Sequence, residues 1–136
     1  FARAAARLRG RALVQPLLPE IRSRGETSLI YFGGQFSHAV EKRPAQGSIL
    51  VQEEHGGSTG PAHPRPQVIE AGRRILDHLP ERPLYARVDV VLGDEARLDQ
   101  GLQLMEVEAI EPELFLTHAE GAAGRFADAL LCAMRE

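Results

Sequence analysis

The sequence predicts an α+β fold, an antiparallel β-sheet packed with helices, on three observations. The apolar, β-prone run Glu26–Phe32 meets Gly33-Gly34 and returns through Phe36–Val40, the pattern of a hairpin closed by a two-residue turn. The stretches Leu84–Leu92 and Leu102–Ala109 alternate as strands and are joined by the polar loop Gly93–Gly101. Two further stretches, Gln67–Leu79 and Gly121–Arg135, keep their apolar residues at helical spacing.

In chain order, residues 2–9 read as a helix end closed by Gly10. Ala12–Leu18 then reads as a short strand that Pro16 and Pro19 confine to an edge or a hinge. After the first hairpin, the Pro44 and Gly47 turn leads to a strand expected over Ile49–Glu53. His55–Pro66, dense in Gly, Pro, Ser and His, is expected to be an irregular loop, with Gly56-Gly57 a turn within it. In the first long helix Val68, Ile69, Ile75, Leu76 and Leu79 keep helical spacing, and Pro80 and Pro83 end it. The last helix carries Phe126, Leu130 and Ala133 on one side. No internal repeat is visible.

At 136 residues the chain makes one ordinary domain, and 43% hydrophobic with 26% charged residues suits a globular protein. No run approaches the roughly 18 apolar residues of a membrane span, so no membrane partner is expected. The net charge of -3 argues against nucleic acid, although fifteen of the sixteen basic residues are Arg and Lys42 alone is Lys. Cys132 stands alone, so no disulfide and no Cys-based zinc site forms within the chain, which fits a reducing cytoplasm. His38 alternates into a strand and is expected to be packed or hydrogen-bonded, while His55, His63, His78 and His118 lack metal spacing. The Arg-rich opening FARAAARLRGRAL has no apolar signal core, and it starts mid-pattern without Met, as a fragment of a longer protein would.

Chemistry concentrates on the second strand pair. Alternation puts Tyr85, Arg87, Asp89 and Val91 on one face of the first strand, and Leu102, Leu104, Glu106 and Glu108 on one face of the second. Pairing the strands brings Asp89 opposite Leu104–Glu106, so three carboxylates converge beside Arg87. Acids held this close repel unless a cation sits among them, and oxygen-only ligands suit a hard ion such as Mg²⁺ completed by water and phosphate. A plain solvated hairpin face accounts for Glu106 and Glu108 equally well.

YARVDV and LMEVEAIEP also resemble the paired signature strands of the ATP-grasp superfamily, where an acid on one strand meets E-x-N on the next. That resemblance implies the C-terminal, second lobe of an ATP-grasp fold over residues 1–136, with the first lobe and the N-terminal substrate domain outside the sequence. It implies that Asp89 and Glu106 hold magnesium ions bridging ATP phosphates, and that Arg87 contacts the transferred phosphoryl group. Glu108 falls where the family has Asn, which makes it a metal ligand of altered charge. Upstream, VQPLLPEI resembles the family's adenine hinge, with Gln15, Leu17 and Leu18 against the base and Glu26 as the ribose-binding carboxylate. GQFSHAVEKRPAQGSILVQEEHGG resembles the glutathione-synthetase-like subgroup that includes the cycloserine-biosynthesis ligase. There Lys42 takes the place of a phosphate-contacting cation, and Leu50 stands where the motif has Arg.

The activity so implied is ATP-dependent ligation of a small-molecule carboxylate to an amine through an acyl phosphate, with ATP and Mg²⁺ as cofactors. A homodimer is compatible with that reading. The alternative is a non-catalytic ATP-grasp-like binding or regulatory module. Glycoside hydrolysis by two of the acids would call for aromatic platforms, and 5% aromatics with no Trp counts against it. Neutralising Asp89 or Glu106 is expected to spare the fold, because it relieves repulsion among the acids.

Overall fold

The computed structural model describes residues 14–93 and 102–135. Five strands form one antiparallel sheet: β1 (Glu26–Phe32), β2 (Gln35–Arg43), β3 (Ser58–Ala62), β4 (Tyr85–Leu92) and β5 (Leu102–Glu108), in the order β3-β2-β1-β4-β5. Among the described residues three α-helices accompany them: α1 (Glu20–Arg24), α2 (Pro66–Leu76) and α3 (Ala122–Ala133). Short 3-10 turns lie at Glu53–His55 and Leu116–His118.

β1 is the central strand and is buried along its whole length, so its residues serve two different layers. On one face Leu29 and Tyr31 join Ala39, Ala86, Val88 and Val90 under α2, which contributes Val68 and Leu76. On the opposite face Ile30, Phe32 and Val40 pack with Phe115, Tyr85, Phe126 and Ala129, the last two from α3. Glu26 and Ser28 continue that second face toward the other end of the sheet. Both faces being covered is why β1 reads as an apolar run rather than as an alternation.

The first hairpin is closed as expected. Gly33 and Gly34 both take positive φ, 56° and 79°, the geometry that matches the twist of the flanking strands in a two-residue loop. β2, however, is longer than Phe36–Val40 and carries a bulge. Tyr31 pairs with Phe36 but Ile30 pairs with His38, leaving Ser37 as the extra residue. Without it, counting from the turn would set Glu26 against Glu41; with it, Glu26 faces Lys42.

A second bulge sits at Met105, where Asp89 pairs with Glu106 but Val90 pairs with Leu104. Strict alternation fails here. Leu102 and Leu104 pair with Leu92 and Val90 on the α2 side, where Leu102 joins the core under α2, while Met105 turns to the acid side and packs against the cluster of Ile21, Val51 and Val91.

Other expectations need correction. Residues 14–18 form no strand, the Pro residues leaving them irregular, and Ala12 together with the helix at 2–9 lies outside the described residues. Ile49–Glu53 is not a strand. The edge place beside β2 goes instead to β3, inside the segment expected to be loop, where Pro61 is tolerated because the strand has only one partner. α2 stops at Leu76 and α3 runs from Ala122 to Ala133. The inward stripe of α3 is Ala122, fully buried, with Phe126 and Ala129 partly buried, while Leu130 and Ala133 are exposed. Of the Gly93–Gly101 loop only Gly93 is described. No described helix is long and apolar enough to cross a membrane.

Candidate functional site

With the two bulges, charges from four strands come to one face. β1 supplies Glu26, β2 Lys42, β4 Arg87 and Asp89, and β5 Glu106 and Glu108. These side chains line a cavity of about 410 Å³, whose rim is completed by Val51, Gln52, Glu53 and Glu54, by Thr59 of β3, and by Glu113 and Phe115.

Asp89 is the hub, with only 2% of its surface exposed. Arg87 donates through Nε to both Asp89 oxygens, at 3.0 and 3.1 Å. Lys42 Nζ reaches Asp89 Oδ2 at 3.2 Å and Glu26 Oε1 at 2.5 Å. Arg87 also pairs with Glu108 through Nη2 and donates through Nη1 to the Glu113 carbonyl at 3.4 Å. Its guanidinium lies 5.9 Å from the Phe115 ring centre, and Phe115 holds a left-handed backbone, φ 49°, to bring the ring there. An Arg is suited to this post because one planar fork serves two carboxylates, a carbonyl and a ring face together.

Carboxylate oxygens of Asp89, Glu106 and Glu108 all approach within 4.8 Å of one another. Asp89 is buried, Glu108 half-buried and Glu106 exposed, so the trio opens from the sheet floor toward solvent. Burial pushes the Glu108 carboxyl above the usual carboxylate range against the pull of Arg87, with Glu106 pushing it further up. Burial likewise raises Glu26, opposed by Lys42. Among the residues lining the cavity, seven carboxylates face two cations, so an anionic ligand such as a polyphosphate is repelled there unless cations accompany it. An all-oxygen set with room for further ligands fits Mg²⁺.

One buried polar atom among the described residues has no hydrogen-bond partner, the hydroxyl of Ser28, on β1 directly across from Asp89. Leaving a buried hydroxyl unserved costs about 1–3 kcal/mol, so its retention calls for a reason.

The sequence-derived site is thus brought together at Arg87, Asp89, Glu106 and Glu108, and it gains Lys42 and Glu26 as direct partners of the acids. Gln15, Leu17 and Leu18 stand apart from that cavity. Gln15 and Leu17 are exposed, and Leu18 packs partly against the cluster of Ile21, Val51 and Val91 on the acid side of the sheet. Ser28, Glu113 and Phe115 were not readable as site residues. Only the β1 alternation Glu26, Ser28, Ile30 could have pointed to Ser28. His38 is packed as expected: it bonds the Leu114 carbonyl and the Ser37 hydroxyl. A larger cavity, about 630 Å³, lies between the Gly33-Gly34 turn and α3, bordered by Phe36, Pro83, Arg125 and Cys132, away from the acids.

This sheet and its helices match part of the fold of the ATP-grasp ligases. The crystal structure of D-alanine–D-alanine ligase from Bacillus anthracis complexed with ATP matches 78% of the chain and 36% of its own length, with a TM-score of 0.54 at 18% identity, a likeness of fold. More particularly, the chain is homologous to the cycloserine biosynthesis protein DcsG of Streptomyces lavendulae, with 32% identity over 125 residues, 87% of this chain. The crystal structure of D-cycloserine synthetase DcsG matches 85% of the chain at 28% identity and a TM-score of 0.69. The chain spans about 40% of the length of that relative. No protein-family model matches the chain.

Proposed function

We propose that the chain is the C-terminal lobe of an ATP-grasp ligase, and that it binds Mg²⁺–ATP for the ligation of a small-molecule carboxylate to an amine. The observation that carries this reading is the convergence of Asp89, Glu106 and Glu108 beside Arg87 and Lys42, in a chain homologous to a cycloserine synthetase. In it, the three acids hold Mg²⁺, which shields the phosphate charge.

The chain's own residues then have defined tasks. Arg87 sits next to the metal acids and contacts the phosphoryl group in transfer, and Lys42 contacts the nucleotide phosphates. Glu26 takes the ribose, and Gln15, Leu17 and Leu18 take the adenine between this lobe and the first one. The substrate carboxylate oxygen attacks the γ-phosphorus as ADP leaves. The amine nitrogen then attacks the acyl carbon of the acyl phosphate, loses a proton and expels inorganic phosphate. Chemistry of this kind rests on positioning and on charge stabilisation, and it needs no nucleophilic side chain.

The test is calorimetric titration of ATP into the complete protein with and without Mg²⁺. Binding heat that requires Mg²⁺ is expected. Its absence would overturn the ligase reading and leave a non-catalytic module.

A further inference from the structure

Ser28 is fully buried, and its hydroxyl is unserved. Its side chain shares a face with Glu26, which lines the acid cavity, and with Ile30, which packs under Phe115. Its two cross-strand neighbours are Val40, which offers no polar side chain, and Asp89. Directly opposed residues on one sheet face have Cβ atoms roughly 4.5–5.5 Å apart, close enough for a rotated hydroxyl and a carboxylate to meet.

In this structure Asp89 does not need Ser28, because Arg87 serves both of its oxygens and Lys42 one of them. Both of those donors are cations. Beside a dication on the same carboxylate they are repelled, and the phosphates that accompany the ion draw them away. A neutral donor suffers no such repulsion. Among the described residues, Ser28 is the neutral side chain paired across from Asp89 with its hydrogen bond unspent.

Resting on the Mg²⁺–ATP reading, we infer that Ser28 is a positioning residue for Asp89: its hydroxyl donates to the Asp89 carboxylate in the metal-bound protein and fixes that ligand's orientation. It takes over from the donors that Arg87 and Lys42 provide in this structure. Such outer partners commonly tune metal affinity by 10- to 100-fold.

The experiment titrates Mn²⁺ into the complete protein, with free Mn²⁺ counted by electron paramagnetic resonance, with and without ADP. Thermal midpoints are measured metal-free. Ser28→Ala is expected to weaken Mn²⁺ binding about tenfold while leaving the metal-free midpoint unchanged or higher, because it removes an unserved hydroxyl. Ser28→Thr, which keeps the hydroxyl, is expected to recover most of the affinity. Unchanged Mn²⁺ affinity in Ser28→Ala overturns the inference, as does a fall in affinity matched by a fall in the metal-free midpoint. Wild-type protein that takes up no Mn²⁺ in either condition overturns the Mg²⁺–ATP reading itself, an outcome distinct from the other two.

Discussion

Asp89 and Glu106 face each other as register partners across β4 and β5, yet Asp89 is sealed under two cations while Glu106 stands in solvent. Their substitutions therefore part company. Glu106→Gln is expected to abolish Mg²⁺-dependent ATP turnover with a thermal midpoint within a few degrees of wild type, since an exposed acid holds nothing together. Asp89→Asn is expected to abolish turnover and also to cost about 3 kcal/mol, because it leaves Lys42 and Arg87 buried with less compensating charge. Differential scanning calorimetry beside an ATP turnover assay separates the two variants. From sequence alone both variants are expected to keep the fold; the burial of Asp89 under two cations changes that expectation for Asp89→Asn.

Arg87 offers a second contrast. A lysine at that position keeps the charge but has no fork to reach Asp89, Glu108 and the Glu113 carbonyl at once, and no plane to lie over Phe115. Arg87→Lys is expected to lower turnover by at least about 100-fold, a loss of roughly 3 kcal/mol in transition-state stabilisation. It is also expected to lower the thermal midpoint. Full turnover in this variant would show that the guanidinium does not touch the reacting phosphoryl group.

Much of this architecture was legible because strong local signals and long-range packing agree. Gly33-Gly34 fixes the first hairpin, and the β4 alternation separates Val88 and Val90 from Arg87 and Asp89. What stayed hidden was set by single-residue irregularities. The bulges at Ser37 and Met105 leave no mark in composition, yet one turns Lys42 toward Glu26 and the other puts Leu102 and Leu104 on the opposite face from Glu106. β3 was missed because Ser58–Ala62 has a Gly and a Pro in five residues, and only an edge position accepts them. The pairing of Asp89 with Glu106 survived because the Met105 bulge falls just beyond it.

Gly72 tests the packing of α2 on the sheet. A Cβ there would run into the Tyr31 hydroxyl and come within 2.7 Å of Leu29 Cδ1, in a layer where both side chains are buried. Tyr31 is pinned in turn, since its hydroxyl donates to the Ile69 carbonyl at 2.6 Å. Gly72→Ala is expected to destabilise by about 1–3 kcal/mol through overpacking, outweighing alanine's better helix propensity. Adding Tyr31→Phe removes the nearest obstacle, so the double variant should lose less than the two single losses added together. Chemical denaturation of the four proteins measures that coupling.

The loop that carries Glu113 and Phe115 to the site is tied to β2 by a directional chain. Arg125 Nε donates to Ser37 Oγ at 2.9 Å, the Ser37 hydroxyl meets His38 Nδ1 at 2.9 Å, and His38 Nε2 meets the Leu114 carbonyl at 2.9 Å. A carbonyl only accepts, so the network assigns the proton to Nε2 and leaves Nδ1 to accept from Ser37. Burial holds the imidazole below its ordinary pKa of 6.5, and Arg125 pushes it the same way. A depressed folded value means that the stabilising contribution is complete above pH 6.5 and is lost as pH falls through the lower folded pKa, because the unfolded chain binds the proton first. The thermal midpoint is therefore expected to fall on acidification below about pH 6.5, and His38→Gln should remove that part of the slope. Because Leu114 adjoins Glu113 and Phe115, the same acidification is expected to loosen the support of Arg87. Nuclear magnetic resonance titration of the His38 ring protons, compared with the pH dependence of the midpoint, checks both; a His38 pKa at or above 6.5 would refute the assignment.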